Sequence, residues 1–401
     1  MNGPLVVVAA SARALVECLR RAGLPEGGAP LLAVDAFGDD DLRIAADGHL
    51  RLALPRLRSA EGVLDAVNTL LTGPRAVALS TRAGVPSAAA QVMLGGGLDG
   101  VPQVVRAIAG QHRLLNASAD AWAAARDPLV FHRLGIESPP TRLTPPEGLR
   151  GWLCKDTAGS AGLAVRRVGE IAGDRAVPSG TGVYWQRRVA GVPVSLLFCA
   201  HSGGIVPVGI NRQWCSAVPG LPFAFGGVAS AFDAGARVHD ALVAAATRIT
   251  VATGLRGLAS LDAVLDRRGR VAMLEVNPRP TASVELYDRS APGLLALHVA
   301  AVQGRSLPDW RSAGGGRALA LLRAPVALRA GPRPPGASDW REGAPVTRGE
   351  PLCTLHASGD DTRQAMRRVR AAAIRFKCRL LQSAYVAAPD GGGFPYNPAE
   401  P

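Results

Sequence analysis

The chain has 401 residues, of which 48% are hydrophobic and 19% are charged. This composition excludes an intrinsically disordered protein, and the length predicts about two to four structural units. The formal net charge is +13, but nearly all of the positive charge is arginine spread along the chain, and lysine occurs only at Lys155 and Lys377. A surface dedicated to nucleic acid is therefore not indicated, although a tolerance for anionic ligands is expected.

The cysteine pattern and the apolar runs indicate the cellular compartment of the protein. Six cysteines are scattered without a CxxC pair, which is typical of free thiols in a reducing compartment. The N-terminus lacks the cationic region of a signal peptide, and no apolar run reaches the roughly 18 residues that a membrane span needs. We therefore expect a cytoplasmic protein with no membrane partner. The seven histidines show no HxH or HExxH spacing, which disfavours a zinc site.

The first 115 or so residues have the pattern of an α/β domain. Apolar runs at Leu5 to Ala10 and Leu31 to Ala36 flank a segment with helical spacing, Ala12 to Ala22, so the chain opens with a βαβ unit. The turn after the first strand lacks the GxGxxG fingerprint, which disfavours a dinucleotide site there. A glycine-rich stretch at Gly95 to Gly97 either contacts substrate or is only a turn.

Later segments alternate between helical and extended patterns. The spacing predicts helices from Ala119 to Leu134 and from about Arg237 to Thr253, with an extended segment at Gly151 to Asp156 between them. Beyond a Pro-rich linker, short strands near Pro345 to His356 and a basic helix from Asp361 to about Arg379 predict a small C-terminal unit.

The most informative segment contains two alternating runs of residues on either side of a tight turn, a pattern typical of a β-hairpin. If Asp266 pairs with Val271, the register places Asp262 opposite Glu275. Since side chains alternate between faces with a period of two, Asn277 then lies on the same face. The other face is an apolar stripe that would lie on a core: Leu261, Ala263, Leu265, Leu274 and Val276.

Two carboxylates placed opposite each other across a ladder repel, and a divalent cation would remove that conflict. Carboxylates with one amide oxygen, and no His or Cys, suit Mg²⁺, which takes further ligands from water and phosphates. A register slip of one residue would instead leave Asp262 and Glu275 on opposite faces as ordinary surface acids. The pattern alone does not decide between these two interpretations.

A second candidate feature is the loop that follows Lys155. The lysine lies at the end of a predicted strand, and small residues up to Gly162 would let backbone N–H groups approach phosphates. In a chain that uses arginine almost everywhere, this lysine suggests a compact ammonium placed on phosphate oxygens. The alternative is an incidental surface lysine beside an ordinary turn.

Taken in order, the lysine with its loop, the strand around Gln186 and the acid followed by Leu274-Glu-Val-Asn-Pro-Arg resemble the ATP-grasp superfamily of ligases over roughly residues 115–300. The resemblance implies an α/β and α+β architecture, in which an ATP-grasp fold follows a Rossmann-like N-terminal domain and precedes a small β-rich unit. The implied boundaries are 1–115 for the N-terminal domain, 116–182 for the lid subdomain, 183–310 for the nucleotide and metal subdomain, 318–388 for the C-terminal unit and 389–401 for a flexible tail.

The resemblance also implies that ATP and Mg²⁺ are the cofactors and assigns residues to them. Arg279 would act with Lys155 in catalysis, by contacting a phosphate or the acyl-phosphate intermediate. Gln186 stands at a position where relatives often have an acid. Relatives also often have a lysine before the lid, and at that place this chain offers only Arg126. The implied sites are phosphate binding by Lys155, Thr157, Gly159, Ser160 and Gly162; adenine binding by the backbone of Gln186, Arg187, Arg188 and Val189; and metal binding by Asp262, Glu275 and Asn277.

The implied activity is an ATP-dependent carboxylate–amine ligase that acts on small molecules through an acyl phosphate. Asn211, Arg212 and Trp214 are candidates for the acceptor pocket, although a polar turn after a strand would explain them equally well. A finer resemblance points to carboligases found with genes for the one-carbon cofactors tetrahydromethanopterin and methanofuran, with glutamate as a candidate amine. It is carried by Asp35-Ala-Phe-Gly-Asp, Trp185-Gln-Arg-Arg and Asn211-Arg-Gln-Trp214.

Three questions stay open at the level of sequence. A carboxylase that activates bicarbonate is the alternative within enzymes. A nucleic-acid-binding protein that uses the basic helix near residues 361–379 is the alternative from another class. The apolar residues of that helix would supply a buried side, however, which favours reading its basic residues as an ordinary solvated face. A homodimer is compatible with the sequence but is not specified by it.

Overall fold

The computed structural model describes residues 3–86, 90–167, 182–216, 218–289 and 292–386, with side chains up to residue 382. Part of the predicted lid subdomain, residues 168–181, and the predicted flexible tail, residues 389–401, lie outside the described residues. Within the described ranges, each helix is too short or too polar to cross a membrane.

The first domain is a parallel sheet of five strands flanked by helices, in agreement with the βαβ pattern of the sequence. The strands are β1 (Leu5–Ala9), β2 (Leu31–Asp35), β3 (Gly48–Arg51), β4 (Gln91–Leu94) and β5 (Arg113–Leu114), and the helices are α1 (Arg13–Arg21), α2 (Asp40–Ala45), α3 (Leu54–Leu57), α4 (Ala60–Thr72), α5 (Pro74–Arg82) and α6 (Pro102–Gln111). The strand order β3-β2-β1-β4-β5 reverses between β1 and β4. Their carboxyl ends therefore border a crevice of the kind in which α/β proteins bind ligands.

A small antiparallel sheet follows two short helices. These elements are α7 (Ala119–Arg126), α8 (Val130–Arg133), β6 (Thr141–Arg142), β7 (Trp152–Asp156), β8 (Val165–Arg167) and β9 (Val183–Arg187), with the strand order β6-β9-β7-β8. The sequence predicts one helix from Ala119 to Leu134, and this prediction is wrong at its centre. The backbone is extended at Asp127, because the following Pro128 disfavours the helical conformation there.

The largest element is an antiparallel sheet of eight strands. Its main strands are β10 (Val192–His201), β11 (Gly204–Cys215), β12 (Phe225–Ala229), β13 (Gly257–Leu265), β14 (Val271–Asn277) and β15 (Gly316–Arg323). Of the last four strands, β17 (Ala337–Ser338) and β19 (Pro351–Gly359) belong to this sheet, whereas β16 (Leu328–Arg329) and β18 (Pro345–Val346) pair with each other in a separate two-stranded sheet. The helices are α9 (Ala236–Thr253), α10 (Val284–Tyr287), α11 (Leu294–Val302) and α12 (Thr362–Val386).

The strand order β14-β13-β10-β11-β12-β15-β19-β17 joins two predicted units in one sheet. β15 and β19 come from the segment in which a C-terminal unit is expected, and β15 pairs with β12 of the preceding unit. The helix α12 packs against β15 and β19 through Met366, Val369 and Phe376. The C-terminal strands β15, β17 and β19 therefore extend the central sheet, while β16 and β18 form a separate pair.

The two faces of this sheet bury different cores. On one face, Leu197 of β10 belongs to a core shared with Leu15 of the first domain. On the other face, Leu196 of β10 and Leu261 of β13 pack with Leu242 of α9. Because Asp262 alternates with Leu261 along β13, its side chain lies on the face toward the first domain.

A buried histidine connects the first domain to the large sheet. His298 of α11 is fully buried, its Nε2 lies 2.8 Å from the carbonyl oxygen of Leu115, and its Nδ1 accepts a hydrogen bond from the Leu258 N–H at 2.8 Å. This pattern requires the neutral ring with its proton on Nε2. Burial lowers the pKa of His298 to about 4.

We predict that His298 makes the protein less stable as the pH falls from about 6.5 towards 4. In that window the imidazole binds a proton in the unfolded chain but not in the folded one, which costs up to ~1.4 kcal/mol per pH unit. Urea unfolding at pH 7 and pH 5 measures the loss. The loss should shrink in His298→Gln and persist in His132→Gln, a change at an exposed histidine; an equal loss in both variants would contradict the assignment.

Candidate active site

The hairpin β13–β14 brings the predicted metal ligands together on one face. Asp262 is paired with Glu275, and Asn277 is paired with Ser260 two residues earlier on β13. Asn277 Nδ2 donates a hydrogen bond to Asp262 Oδ2 at 3.0 Å, and the hydroxyl of Ser260 donates to Asp262 Oδ1 at 3.1 Å. The arrangement in which the acids are ordinary surface residues on opposite faces is therefore not the one observed.

The hairpin reaches this arrangement by a register that differs from the expected one. Val271 pairs with Leu265 instead of Asp266, whose N–H bonds to the carbonyl of Arg270 at 2.9 Å. A β-bulge between Asp262 and Ala263 then absorbs the offset of one residue and restores the pairing with Glu275. The bulge also moves Leu274 out of the predicted apolar stripe, and Met273 takes its place in the core.

The two carboxylates are held close together in a partly buried site. Burial and the nearby charge of Glu275 raise the pKa of Asp262 to about 7. Partial compensation comes from Gln213, which donates to Asp262 Oδ1 at 3.3 Å, and from Arg126, whose Nη1 lies 3.4 Å from Glu275 Oε2. A shared cation would stabilise the charged form of both acids.

The donor set fits Mg²⁺ better than a transition metal. Asp262, Glu275 and Asn277 offer oxygen atoms, and the described ranges contain no cluster of three or more His, Cys, Asp or Glu residues around one point. A site with two carboxylates and one amide leaves room for phosphate and water ligands, which Mg²⁺ retains. To bind the ion, Asn277 would have to turn its oxygen towards it, since its Nδ2 now donates to Asp262.

Lys155 is connected to the hairpin through Gln186. The buried Lys155 at the end of β7 donates from Nζ to Gln186 Oε1 at 2.7 Å, and Gln186 Nε2 donates to the carbonyl of the bulge residue Leu274 at 3.4 Å. Burial lowers the pKa of Lys155, while Glu275 opposes this shift. Because its direct partner is a neutral amide, the ammonium keeps its charge available for an anion.

The small-residue loop after Lys155 is held from several sides. Arg126 Nη2 donates to the carbonyls of Thr157 at 2.8 Å and Gly159 at 3.4 Å, and Arg58 of the first domain donates to the carbonyl of Ala158. Gly162 has a φ of +70°, and a Cβ there would lie 1.9 Å from the carbonyl oxygen of Phe223, so only glycine fits. The loop therefore lies closed against the hairpin side of the site.

The N–H groups of this loop divide into two sets. Those of Thr157 and Gly159 already bond to the carbonyls of Gly182 and Asp156, both at 2.8 Å. The N–H groups of Ser160 and Gly162 have no acceptor among the described residues. Of the predicted phosphate-binding residues, the latter two have backbone donors that remain available to a ligand.

Backbone N–H groups of the predicted adenine-binding segment are also partly bonded already. The N–H of Arg187 bonds to the carbonyl of Pro140 and that of Arg188 to the carbonyl of Gly151, both at 2.9 Å. Gln186 belongs to the paired part of β9. Within the predicted segment, Val189 is left as the residue whose N–H could be donated to a base.

Arg279 lies between the hairpin and the first domain. Its Nε and Nη2 donate to the two oxygens of the buried Asp99 at 2.6 and 2.8 Å, and its Nη1 donates to the carbonyl of Pro280. Burial raises the pKa of Asp99, but the charges of Arg279 and Arg126 outweigh this effect and hold the pKa below its usual value. The Arg279 guanidinium faces Gly96, where a Cβ would lie 3.5 Å from Nη1.

Comparison with protein-family models finds that residues 130–283 match an ATP-grasp domain. The chain contains an ATP-grasp domain. The matched segment includes β7, β9 and the hairpin, so it covers Lys155, Gln186, Asp262, Glu275 and Asn277. A comparison with curated proteins found no match in sequence.

Solved structures share the fold over almost the whole chain. L-amino acid ligase from Bacillus licheniformis has a TM-score of 0.64 at 15% identity, over 92% of this chain and 96% of its own. N5-carboxyaminoimidazole ribonucleotide synthetase from Thermotoga maritima has a TM-score of 0.62 at 11% identity, over 93% and 98%. The biotin carboxylase domain of 2-oxoglutarate carboxylase from Hydrogenobacter thermophilus, a dimer in complex with MgADP and bicarbonate, has a TM-score of 0.62 at 12% identity, over 92% and 89%.

Two of the three predicted acceptor residues lie away from the carboxylates of the ATP-grasp domain. Asn211 is buried on the Asp262 face, where it accepts a hydrogen bond from the Tyr287 hydroxyl at 2.9 Å. Arg212 lies over the ring of Phe232, which packs on the α9 side, and Trp214 packs with the C-terminal core. The alternation of side chains along β11 places both on the opposite face, so the structure does not bring Arg212 and Trp214 to this site.

Two site residues were not singled out for a role by the sequence pattern. Asp99 holds Arg279, and Tyr184 of β9 lines a small pocket together with Arg126, Thr157 and Glu275. For Asp99 a signal existed, because it follows the glycine-rich stretch at the carboxyl end of β4, where ligand sites of α/β domains lie.

We predict that Asp99→Asn lowers the free energy of unfolding by about 3–5 kcal/mol, because it leaves the buried charge of Arg279 without its partner. Chemical denaturation measures the change. The matched control is Asp120→Asn, since Asp120 is exposed and pairs with an exposed Arg106 at 3.0 Å. That control should change stability by less than about 1 kcal/mol; equal effects of the two substitutions would refute a structural role of the buried pair.

Proposed function

We propose that the protein is an ATP-dependent carboxylate–amine ligase that uses Mg²⁺ and forms an acyl phosphate. The observation that carries the proposal is the pairing of Asp262 with Glu275 on one face of a hairpin, with Asn277 beside them and Arg279 two residues further on. The ATP-grasp match and the fold shared with ligases of small molecules support the same class of reaction.

Each element of the site has a distinct task in this proposal. Asp262, Glu275 and Asn277 would hold Mg²⁺, which neutralises phosphate charge and orients the γ-phosphate. Lys155 and the N–H groups of Ser160 and Gly162 would bind phosphate oxygens, and the backbone at Val189 would meet adenine. Arg126, which now bonds to the loop carbonyls, would keep the loop closed and exclude water from the reacting groups.

The chemistry proceeds in two displacements. A carboxylate oxygen of the substrate attacks the γ-phosphorus, the bond to the bridging oxygen breaks, and ADP leaves. The amine nitrogen then attacks the acyl carbon, inorganic phosphate leaves with the electrons of the acyl–oxygen bond, and the nitrogen loses a proton. Arg279, fixed by Asp99 and facing Gly96, would stabilise the negative charge that develops on the acyl phosphate.

The finer assignment concerns the substrates. We propose an amino acid, with glutamate first, as the amine in the synthesis of a one-carbon carrier cofactor, on the basis of the segments Asp35–Asp39 and Trp185–Arg188. The six cysteines of the described structure are unpaired, which supports a reducing, cytoplasmic location. A homodimer remains compatible with the related 2-oxoglutarate carboxylase domain, which is a dimer.

A carboxylase that activates bicarbonate is the second candidate, because two of the solved structures with this fold act in carboxylation chemistry by name. The nucleic-acid alternative has less support. On α12, Arg370 lies over the ring of Trp214 and Arg368 donates to the carbonyl of Ser358, so part of its basic face serves internal contacts.

We predict that Glu275→Ala and Asp262→Asn each reduce substrate-dependent ADP release by at least about a hundredfold, because Mg²⁺ would lose a carboxylate ligand. A coupled assay for ADP measures turnover, and circular dichroism checks that the variants fold. Asp240→Asn, at an exposed position on α9, is the matched control and should keep full activity. Wild-type turnover in both site variants would refute the proposed metal site.

The substrate class is tested by comparing cosubstrates in the same assay. We expect ADP release with an amino acid and a second small-molecule partner, and an amide product visible by mass spectrometry. ADP formation that requires bicarbonate alone would instead establish the carboxylase. Salt-sensitive binding of nucleic acid without any ATP turnover would favour the binding protein.

A further inference from the structure

A second group of cationic side chains lies at the β3 edge of the first domain, apart from the ATP-grasp site. A pocket of about 390 Å³ opens there. Its volume is in the range of sites for small molecules. None of its lining residues belongs to the hairpin, the lid loop or the Arg279 region. The lining residues are Arg43, Ala46, Asp47, Gly48, His49, Arg51 and Arg75.

Three of these side chains converge on one backbone position. A Cβ placed on Gly38 would lie 3.4 Å from Arg51, 3.4 Å from His49 and 3.6 Å from Arg43. The Arg43 guanidinium, the His49 ring and the Cδ of Arg51 therefore border the same small space. Arg43, Arg51 and Arg75 all line the pocket, and their positive charges would attract an anion placed among them.

His49 is held in a fixed orientation by a buried acid. Its Nε2 lies 2.9 Å from Oδ1 of Asp35, whose side chain is fully buried at the end of β2, while the imidazole is only 10% exposed. The N–H of Gly38 also donates to Asp35 Oδ1 at 2.9 Å. The carboxylate thus fixes the ring and the loop together, which is the arrangement of a preorganised binding group.

The acid among the lining residues, Asp47, is already engaged. Asp47 pairs with Arg20 at 2.7 Å and accepts the Leu31 N–H at 2.8 Å. Arg51 uses Nε on the carbonyl of Ala36, which leaves its terminal nitrogens available. Arg43 and Arg75 have no acidic partner among the described residues. The pocket therefore carries an excess of positive charge with donors that approach from several directions.

We propose that this pocket binds the phosphate group of a small phosphorylated molecule, separately from the nucleotide in the ATP-grasp site. A phosphate dianion offers several acceptor oxygens in a tetrahedral arrangement, which suits the arginine side chains and the imidazole that line this pocket. The segment Asp35–Asp39, noted in the sequence for a finer resemblance, supplies both the acid that orients His49 and the glycine that makes room for the cluster.

The test follows the imidazole signals of His49 by two-dimensional NMR while inorganic phosphate is added at constant ionic strength. The signals are assigned with His49→Gln. We expect a saturable shift of the His49 signals, with an affinity about tenfold or more weaker in Arg43→Gln/Arg51→Gln because two charge-assisted hydrogen bonds are lost. Arg75→Gln should also weaken binding, whereas Arg82→Gln, an exposed arginine on the same helix α5, should leave it unchanged.

The chemistry of the ligand is resolved by further arms of the same titration. Glycerol phosphate that binds at least as tightly as inorganic phosphate supports a phosphorylated small molecule as the ligand. Chloride or citrate producing the same shift, or the double variant binding as well as the wild type, would overturn the proposal, as would no shift up to about 50 mM phosphate, which corresponds to a binding free energy weaker than about 2 kcal/mol. Asp262→Asn should bind phosphate normally here, which separates this site from the ATP-grasp site.

Discussion

The proposed chemistry depends on two like charges that the sheet holds opposite each other, Asp262 and Glu275. Such a pair is unfavourable in a partly buried site, as the pKa of about 7 for Asp262 shows. The protein limits the cost with Gln213, Asn277 and Arg126 without removing it. Repulsion between two neighbouring carboxylates is typical of a site that a cation completes.

The contacts around the pair connect three parts of the chain. Arg126 reaches the lid loop and Glu275, Gln186 reaches Lys155 and the bulge at Leu274, and Arg279 reaches Asp99 in the first domain. A ligand bound at Asp262 and Glu275 would therefore lie beside residues that also hold the lid loop and the first domain. This arrangement suits a two-step reaction in which an acyl phosphate must be shielded from water until an amine arrives.

Periodicity made the shared face of Asp262, Glu275 and Asn277 predictable from the sequence, because side chains alternate strictly along a strand. The bulge was not predicted, since the hairpin pattern carries no signal for an extra residue, and the contact that Leu274 makes with Gln186 comes from a strand distant in the sequence. The same alternation, applied to β11, places Arg212 and Trp214 on the face opposite Asn211.

The most direct test of the central claim is a crystal structure of the protein with MgADP. The account predicts a Mg²⁺ ion about 2.1 Å from carboxylate oxygens of both Asp262 and Glu275, with the Asn277 amide turned so that its oxygen faces the ion. An ion and nucleotide bound elsewhere, with Asp262 and Glu275 unchanged and still hydrogen bonded to Asn277 Nδ2 and Arg126, would contradict it.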